Sequence, residues 1–342
     1  MGLNPIFKLR EQATKELTSL LDSTVFGTNG ARYRHADTKA KISQADNPLF
    51  LSLERNKNVL GNITFCRRDT SWYIRYFAFS KWIQSAGKLK SNAGGSGVLK
   101  RELTCFFDDV FKGKYGKPPQ SFYAYIDPQN EKSLWMSENF GFEKKAEIKT
   151  QTFSRINPKL KVTIQIVEEW SEVKEFVKSH FGSQTYYFES QVNKPPYYVW
   201  KSESNEVLGF AKMSTAHWEI KRFPGKLGGV LIKMIPFIPG LKKVIKPKNH
   251  VFLAPEAVYV KNPKQLGMFL ESVLTLEKQN LMIWWVDANN PSYMASCGCT
   301  NWGVLNKLIG IIPAHLVVKR NPRVIQNVDS INSFYTSGFD FS

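Results

Sequence analysis

Asn92-Ala93-Gly94-Gly95-Ser96-Gly97 opens a run, Val98 to Phe111, whose apolar residues at 98, 99, 103, 106, 107, 110 and 111 follow one helical face. A strand-like stretch at 121–127 comes next. Asn130-Glu131-Lys132-Ser133 then begins a second helical stretch near 130–140, which closes on Phe140-Gly141-Phe142. Gly141 stands where helices commonly end in a left-handed residue. A turn built on Gly94, Gly95 and Gly97 offers backbone N–H groups with no Cβ in the way, and the helix it opens adds the positive end of its dipole. Its natural ligand is a diphosphate. Three close glycines also describe a plain flexible loop, so the turn takes its meaning from the strand, Asn and Gly-Phe downstream of it.

Beyond this segment, two similarities recur in the same order. Val59-Leu60-Gly61 returns as Val207-Leu208-Gly209. Phe122 to Asn130 (FYAYIDPQN) returns as Met282 to Asn290 (MIWWVDANN), an apolar strand followed by Asp-x-x-Asn. The two offsets differ by about a dozen residues, as an insertion in the second copy requires. The chain reads as a duplicated unit, divided after Asn157-Pro158 into residues 1–157 and 158–342.

Each unit reads as α+β. In the first, Phe7 to Leu21 has helical spacing, Leu49–Leu53 and Val59–Phe65 read as a hairpin, and Trp72–Phe79 is an aromatic strand whose one charge is Arg75. In the second, strands at 161–167, 196–201, 206–213, 251–260 and 281–287 surround helices at 170–180 and 263–279. Residues 221–248 break the pattern. They hold Lys221, Arg222, Lys226, Lys233, Lys242, Lys243, Lys246 and Lys248 with no acid, around the apolar run Val230 to Leu241.

The segment 92–142 resembles the GNAT superfamily of acyl-CoA N-acyltransferases. That family has a Gln/Arg-x-x-Gly-x-Gly/Ala turn for the coenzyme A pyrophosphate, then a strand, Asn-x-x-Ala and a Leu-Gly-Phe ending. The resemblance implies two tandem units of mixed, mostly antiparallel sheet flanked by helices, the second degenerate. It sets Phe77, Phe79, Asn92, Gly94, Gly95, Ser96, Gly97, Val98, Asn130 and Ser133 as coenzyme A contacts. Asn92 departs from the family's Gln or Arg, so one cationic phosphate contact is either missing or supplied by Lys88, Lys90 or Lys100. Ser137 stands where the family often has the tyrosine that protonates the leaving thiolate, and a serine hydroxyl is a far poorer acid. The second copy, Lys264-Gln265-Leu266-Gly267-Met268-Phe269, keeps one glycine.

The implied reaction moves an acyl group, expected to be acetyl, from acyl-CoA to the amine of a small molecule or peptide. A base must take the amine's proton. Glu256 in the apolar stretch Phe252 to Val258 is the candidate, with a salt bridge to a lysine as its competing role. Asp127 and Asp287 end matched strands and read as turn caps.

Composition bounds these readings. Lys plus Arg number 47 against 29 Asp plus Glu, a formal charge of +18, which predicts anionic partners. Cys66, Cys105, Cys297 and Cys299 form neither a disulfide framework nor a zinc spacing, and the five histidines are scattered, so no metal is expected. A monomer in the cytoplasm is the expectation. The basic insertion suits an anionic membrane surface, a long acyl chain, or simple packing with solvated lysines. A non-catalytic protein that binds nucleic acid or an anionic membrane through its charge is the alternative to the transferase.

Overall fold

A computed structural model describes residues 5–27, 31–56, 58–80, 95–223, 228–324 and 333–341. The first half runs β1 (Phe7–Arg10), α1 (Lys15–Ser23), β2 (Arg32–His35), α2 (Thr38–Gln44), β3 (Pro48–Arg55), β4 (Asn58–Arg68), β5 (Ser71–Phe79), α3 (Gly95–Phe111), β6 (Ser121–Ile126), α4 (Glu131–Asn139) and β7 (Glu143–Ser154). The second runs β8 (Gln165–Val167), α5 (Trp170–Phe181), α6 (Glu189–Val192), β9 (Tyr197–Lys201), β10 (Val207–Arg222), α7 (Gly228–Met234), α8 (Leu241–Val244) and β11 (His250–Val260). It ends with α9 (Leu266–Leu276), β12 (Leu281–Asp287), α10 (Pro291–Cys297), α11 (Val304–Ile309), β13 (Ile312–Arg320) and α12 (Gly338–Phe341).

One sheet holds both halves, in the order β1-β3-β4-β5-β6-β13-β7-β12-β11-β10-β9-β8, with β2 on β10. The halves exchange strands. β13, from the second half, lies antiparallel between β6 and β7, pairing Val317 with Ala124. β7, from the first half, lies antiparallel to β12, pairing Ser154 with Leu281. The strand after α4 or α11 thus adjoins the other half's Asp-x-x-Asn strand, and the expected boundary at 157/158 is crossed by hydrogen bonds on both sides.

Both halves also carry a bulge at a matched place. In β5, Ile74 faces Phe65 and Tyr76 faces Thr64, which leaves Arg75 as the extra residue. In β11, Tyr259 faces Phe210 and Glu256 faces Lys212, and Ala257 takes a positive φ of 50°. Bulges bend the strand that holds them. Accordingly β5 pairs in parallel with β6 only from Ser71 to Tyr73, and β11 meets β12 only at Leu253 and Met282. Beyond those points each pair parts, leaving two gaps in the sheet.

The repeated glycines have a packing reason. A Cβ on Gly61 would lie 2.5 Å from the Phe79 ring, and one on Gly209 would lie 2.9 Å from the Phe269 ring. The expected C-terminal glycine is likewise in place: Gly141 has a φ of 75°, its N–H bonds the Glu138 carbonyl at 2.9 Å and the Phe142 N–H bonds that of Ser137 at 2.9 Å. Other expectations are corrected. Phe7–Leu21 is strand and then helix, because Phe7 and Leu9 pair with Leu53 and Leu51 of β3. The strand expected to stop at 213 runs to Arg222, extended by pairing with β11 and with β2. Among the described residues no helix is long and apolar enough to cross a membrane.

Candidate functional site

The two gaps have opposite contents. In the second half the C-terminal segment fills it: the Phe334 N–H bonds Asp287 Oδ2 at 2.8 Å, Thr336 Oγ1 donates to the Trp285 carbonyl at 2.6 Å and the Gly338 N–H bonds Glu256 Oε2 at 3.0 Å. Gly338 lies so close to β11 that a Cβ on it would stand 2.4 Å from the Ala254 carbonyl oxygen. About 20 Å³ is left there, scarcely more than one water needs.

In the first half the gap opens on a cavity of about 380 Å³. Its near wall is built by Arg75 and Phe77 of β5, Tyr125 of β6, Leu103 and Phe107 of α3, Met136 of α4, and Phe140 at the C-cap of α4. Helical spacing puts Leu103 and Phe107 on the buried face of α3, packed with Phe65 and Phe122 in one core cluster. α3 begins at Gly95, and the first N–H groups of any helix lack an intrahelical partner.

The repeated Asp-x-x-Asn forms the same turn twice. Asp127 Oδ1 accepts the Gln129 N–H at 2.8 Å, and Asp287 Oδ1 accepts that of Asn289 at 2.9 Å. Asn130 caps α4 by accepting the Ser133 N–H at 3.2 Å, as Asn290 caps α10 through Tyr293 at 3.1 Å. They differ in the second carboxylate oxygen. That of Asp287 holds the C-terminal segment, whereas that of Asp127 has no hydrogen-bond partner among the described residues. Asp127 is also the one carboxylate among the described residues that lines the cavity.

The residues expected from sequence divide into several groups. Asn92 and Gly94, with Lys88 and Lys90, lie outside the described residues. Gly95, Ser96, Gly97 and Val98 form the first turn of α3. Phe77, Asn130, Ser133 and Ser137 line the cavity, and the Phe79 ring meets that of Phe77 edge-on at 4.9 Å. Lys100 bonds Asn139 Oδ1 at 3.0 Å. The Ser137 hydroxyl is engaged, donating to the Leu134 carbonyl at 2.8 Å, so it does not serve as the thiolate's acid while that bond stands. Glu256 requires a correction. It is fully buried outside the cavity lining, with Lys212 on one oxygen and Tyr335 and the Gly338 N–H on the other, so the salt-bridge role prevails over that of a base.

Two groups in the wall were not singled out by sequence as chemical. Asp127 was legible as a turn cap alone, because its free oxygen appears only when both strands are in place. The Tyr125 hydroxyl is buried without a hydrogen-bond partner. Burial above all, and then the Asp340 carboxylate, raise its pKa far above the ordinary phenol value, so it keeps its proton. Nothing in an apolar strand distinguishes such a tyrosine from a core residue.

Solved structures share this architecture over nearly the whole chain. A tandem GNAT protein from the clavulanic acid biosynthesis pathway aligns with a TM-score of 0.53 at 8% identity, over 93% of this chain and 100% of that one. N-myristoyltransferase of Saccharomyces cerevisiae, solved with bound myristoyl-CoA, aligns with a TM-score of 0.51 at 11% identity, over 97% and 84%. No protein-family model and no curated protein matches the sequence. At such identities the likeness speaks of fold alone. The chain has the GNAT fold, present twice in tandem on one exchanged sheet.

Proposed function

We propose that this protein transfers an acyl group from acyl-coenzyme A to an amine, using one site, in the first half. The observation that carries this reading is the contrast between the gaps: one is filled by the protein's own C-terminal segment, the other opens on a cavity. Past Tyr73 and Tyr123 the parted strands no longer pair with each other. An extended, amide-bearing arm such as pantetheine can bond to such a strand edge. The diphosphate would then meet the first turn of α3, whose glycines keep side chains out of its way.

The amine nitrogen attacks the thioester carbonyl carbon, the C–S bond breaks and coenzyme A leaves as thiolate. Asp127 takes the amine's proton on its unengaged oxygen. Tyr125, still protonated, donates a hydrogen bond to the thioester oxygen or the departing sulfur. Thermal unfolding with acyl-CoA tests the reading. A ligand at a hundred times its dissociation constant stabilises by about 2.7 kcal/mol, so the midpoint should rise by several degrees, and an unmoved midpoint contradicts the proposal.

The basic insertion supports a second contact. Val230, Met234 and Phe237 follow one face at spacings of four and three, and they are 57%, 50% and 80% exposed. Lys233, Lys242, Lys243, Lys246 and Lys248 of the same segment are exposed as well. An apolar stripe flanked by lysines favours an anionic membrane surface over nucleic acid, which offers no apolar layer to receive it.

A further inference from the structure

The cavity does not end at the gap. It continues between the halves to Trp218, Ile220, Phe223, Ile245, Ile283 and Leu305, a single apolar cluster of the second half. Close-packed interiors leave few voids larger than a water molecule, and an acetyl group would fill a small part of about 380 Å³. Asp127 and Tyr125 carry their unengaged polar atoms on the β6 wall at the gap, and Thr152 of β7 adds one neutral, buried hydroxyl without a hydrogen-bond partner. On the second half's side the wall groups that could hydrogen-bond are neutral or satisfied: burial holds the His250 imidazole down to about 4, and Trp285 donates its indole N–H to Thr150 Oγ1 at 2.9 Å.

We propose that the second half serves the first as an acyl pocket, so that the donor is a medium- or long-chain acyl thioester whose methylene chain lies against Trp218, Ile220, Ile245, Ile283 and Leu305. This rests on the transferase reading and replaces the expected acetyl group with a longer chain. It also gives the second half a use that its filled gap does not.

Equilibrium binding of coenzyme A and its acetyl, octanoyl and dodecanoyl thioesters to the full chain, below their micelle concentrations, tests the proposal. Affinity should rise roughly fourfold per methylene until the cavity is full, the fold-change equivalent to about 0.8 kcal/mol. Ile309→Trp, at the end of α11 in the cavity wall, should cost dodecanoyl-CoA at least tenfold in affinity relative to acetyl-CoA. If that variant does not fold, Ile309→Ala, which enlarges the same place, should shift the preference toward longer chains. Acetyl-CoA binding as tightly as dodecanoyl-CoA overturns the acyl pocket and leaves the transferase standing, as does a variant that affects all thioesters equally. Binding of no thioester at all overturns both.

Discussion

Glu256 accepts the backbone N–H of Gly338 at 3.0 Å, in the gap that its own half would otherwise leave open. Its other oxygen holds Lys212, itself buried. Two ions taken out of water are tolerable because each has the other and the carboxylate has further donors. Through this bond the C-terminal segment closes the second gap and continues to the first half, where Arg75 donates to the Phe339 carbonyl and Arg68 pairs with Asp340.

Glu256→Ala should therefore cost about 3–5 kcal/mol of stability, because it leaves the Lys212 ammonium buried and unpaired. Urea unfolding of the variant measures this. Replacing both partners, Lys212→Met with Glu256→Met, should cost less than Glu256→Ala alone. A silent single variant would show that the pair is solvated.

Asp127→Asn should lower kcat by about a hundredfold or more with little change in acyl-CoA affinity, since an amide cannot take a proton and still caps the turn. Steady-state kinetics with a saturating amine resolves the two quantities. The pH profile gives a second check: the acidic limb of kcat/KM should be present in the parent and absent in the variant. An unchanged kcat removes Asp127 from the proton path.

Stability should fall in mild acid. Burial first, then the positive charges of Arg75 and Lys41, hold the His35 imidazole down to about 3, and burial holds His250 down to about 4. An unfolded histidine titrates near about 6.5. Between those values the unfolded chain binds protons that the folded chain refuses, so stability is full above about pH 6.5 and is lost as pH falls toward 4. The His35 ring stands edge-on to Phe26, Tyr76 and Trp218, a setting that phenylalanine also suits. His35→Phe should shrink the stability difference between pH 7 and pH 5 by about 2 kcal/mol, measured by urea unfolding at both. An equal difference in parent and variant contradicts this.

Phe237→Ser should weaken co-sedimentation with anionic vesicles, and raised salt should weaken it further, because exposed lysines act through screened charge. Retention on neutral vesicles equal to that on anionic ones would contradict a role for the lysines.

Part of this molecule was legible in the sequence because it is written locally. The glycine turn, the 3.6-residue spacing of Leu99, Leu103, Phe106 and Val110, and the two Asp-x-x-Asn turns each need only a few neighbouring residues. Phe7 and Leu9 misled because a short strand and a helix can share two apolar positions, and pairing with β3 decided between them. The strand exchange was hidden for a related reason. Alternation along Glu143–Ser154 says that a strand forms, whereas its choice of β12 and β13 as neighbours is settled by the whole sheet. For Glu256 the sequence left a base and a lysine's partner as competing roles, because its donors Tyr335 and Gly338 arrive from a C-terminal segment with no periodic pattern.

The proposed transferase has one acyl-CoA site per chain, in the first half, because the C-terminal segment fills the second gap. Isothermal titration of the full protein with coenzyme A and with dodecanoyl-CoA should give a stoichiometry of one, abolished by Gly97→Glu, which puts a side chain and a negative charge at the start of α3. A stoichiometry of two, or binding that survives Gly97→Glu, would contradict it.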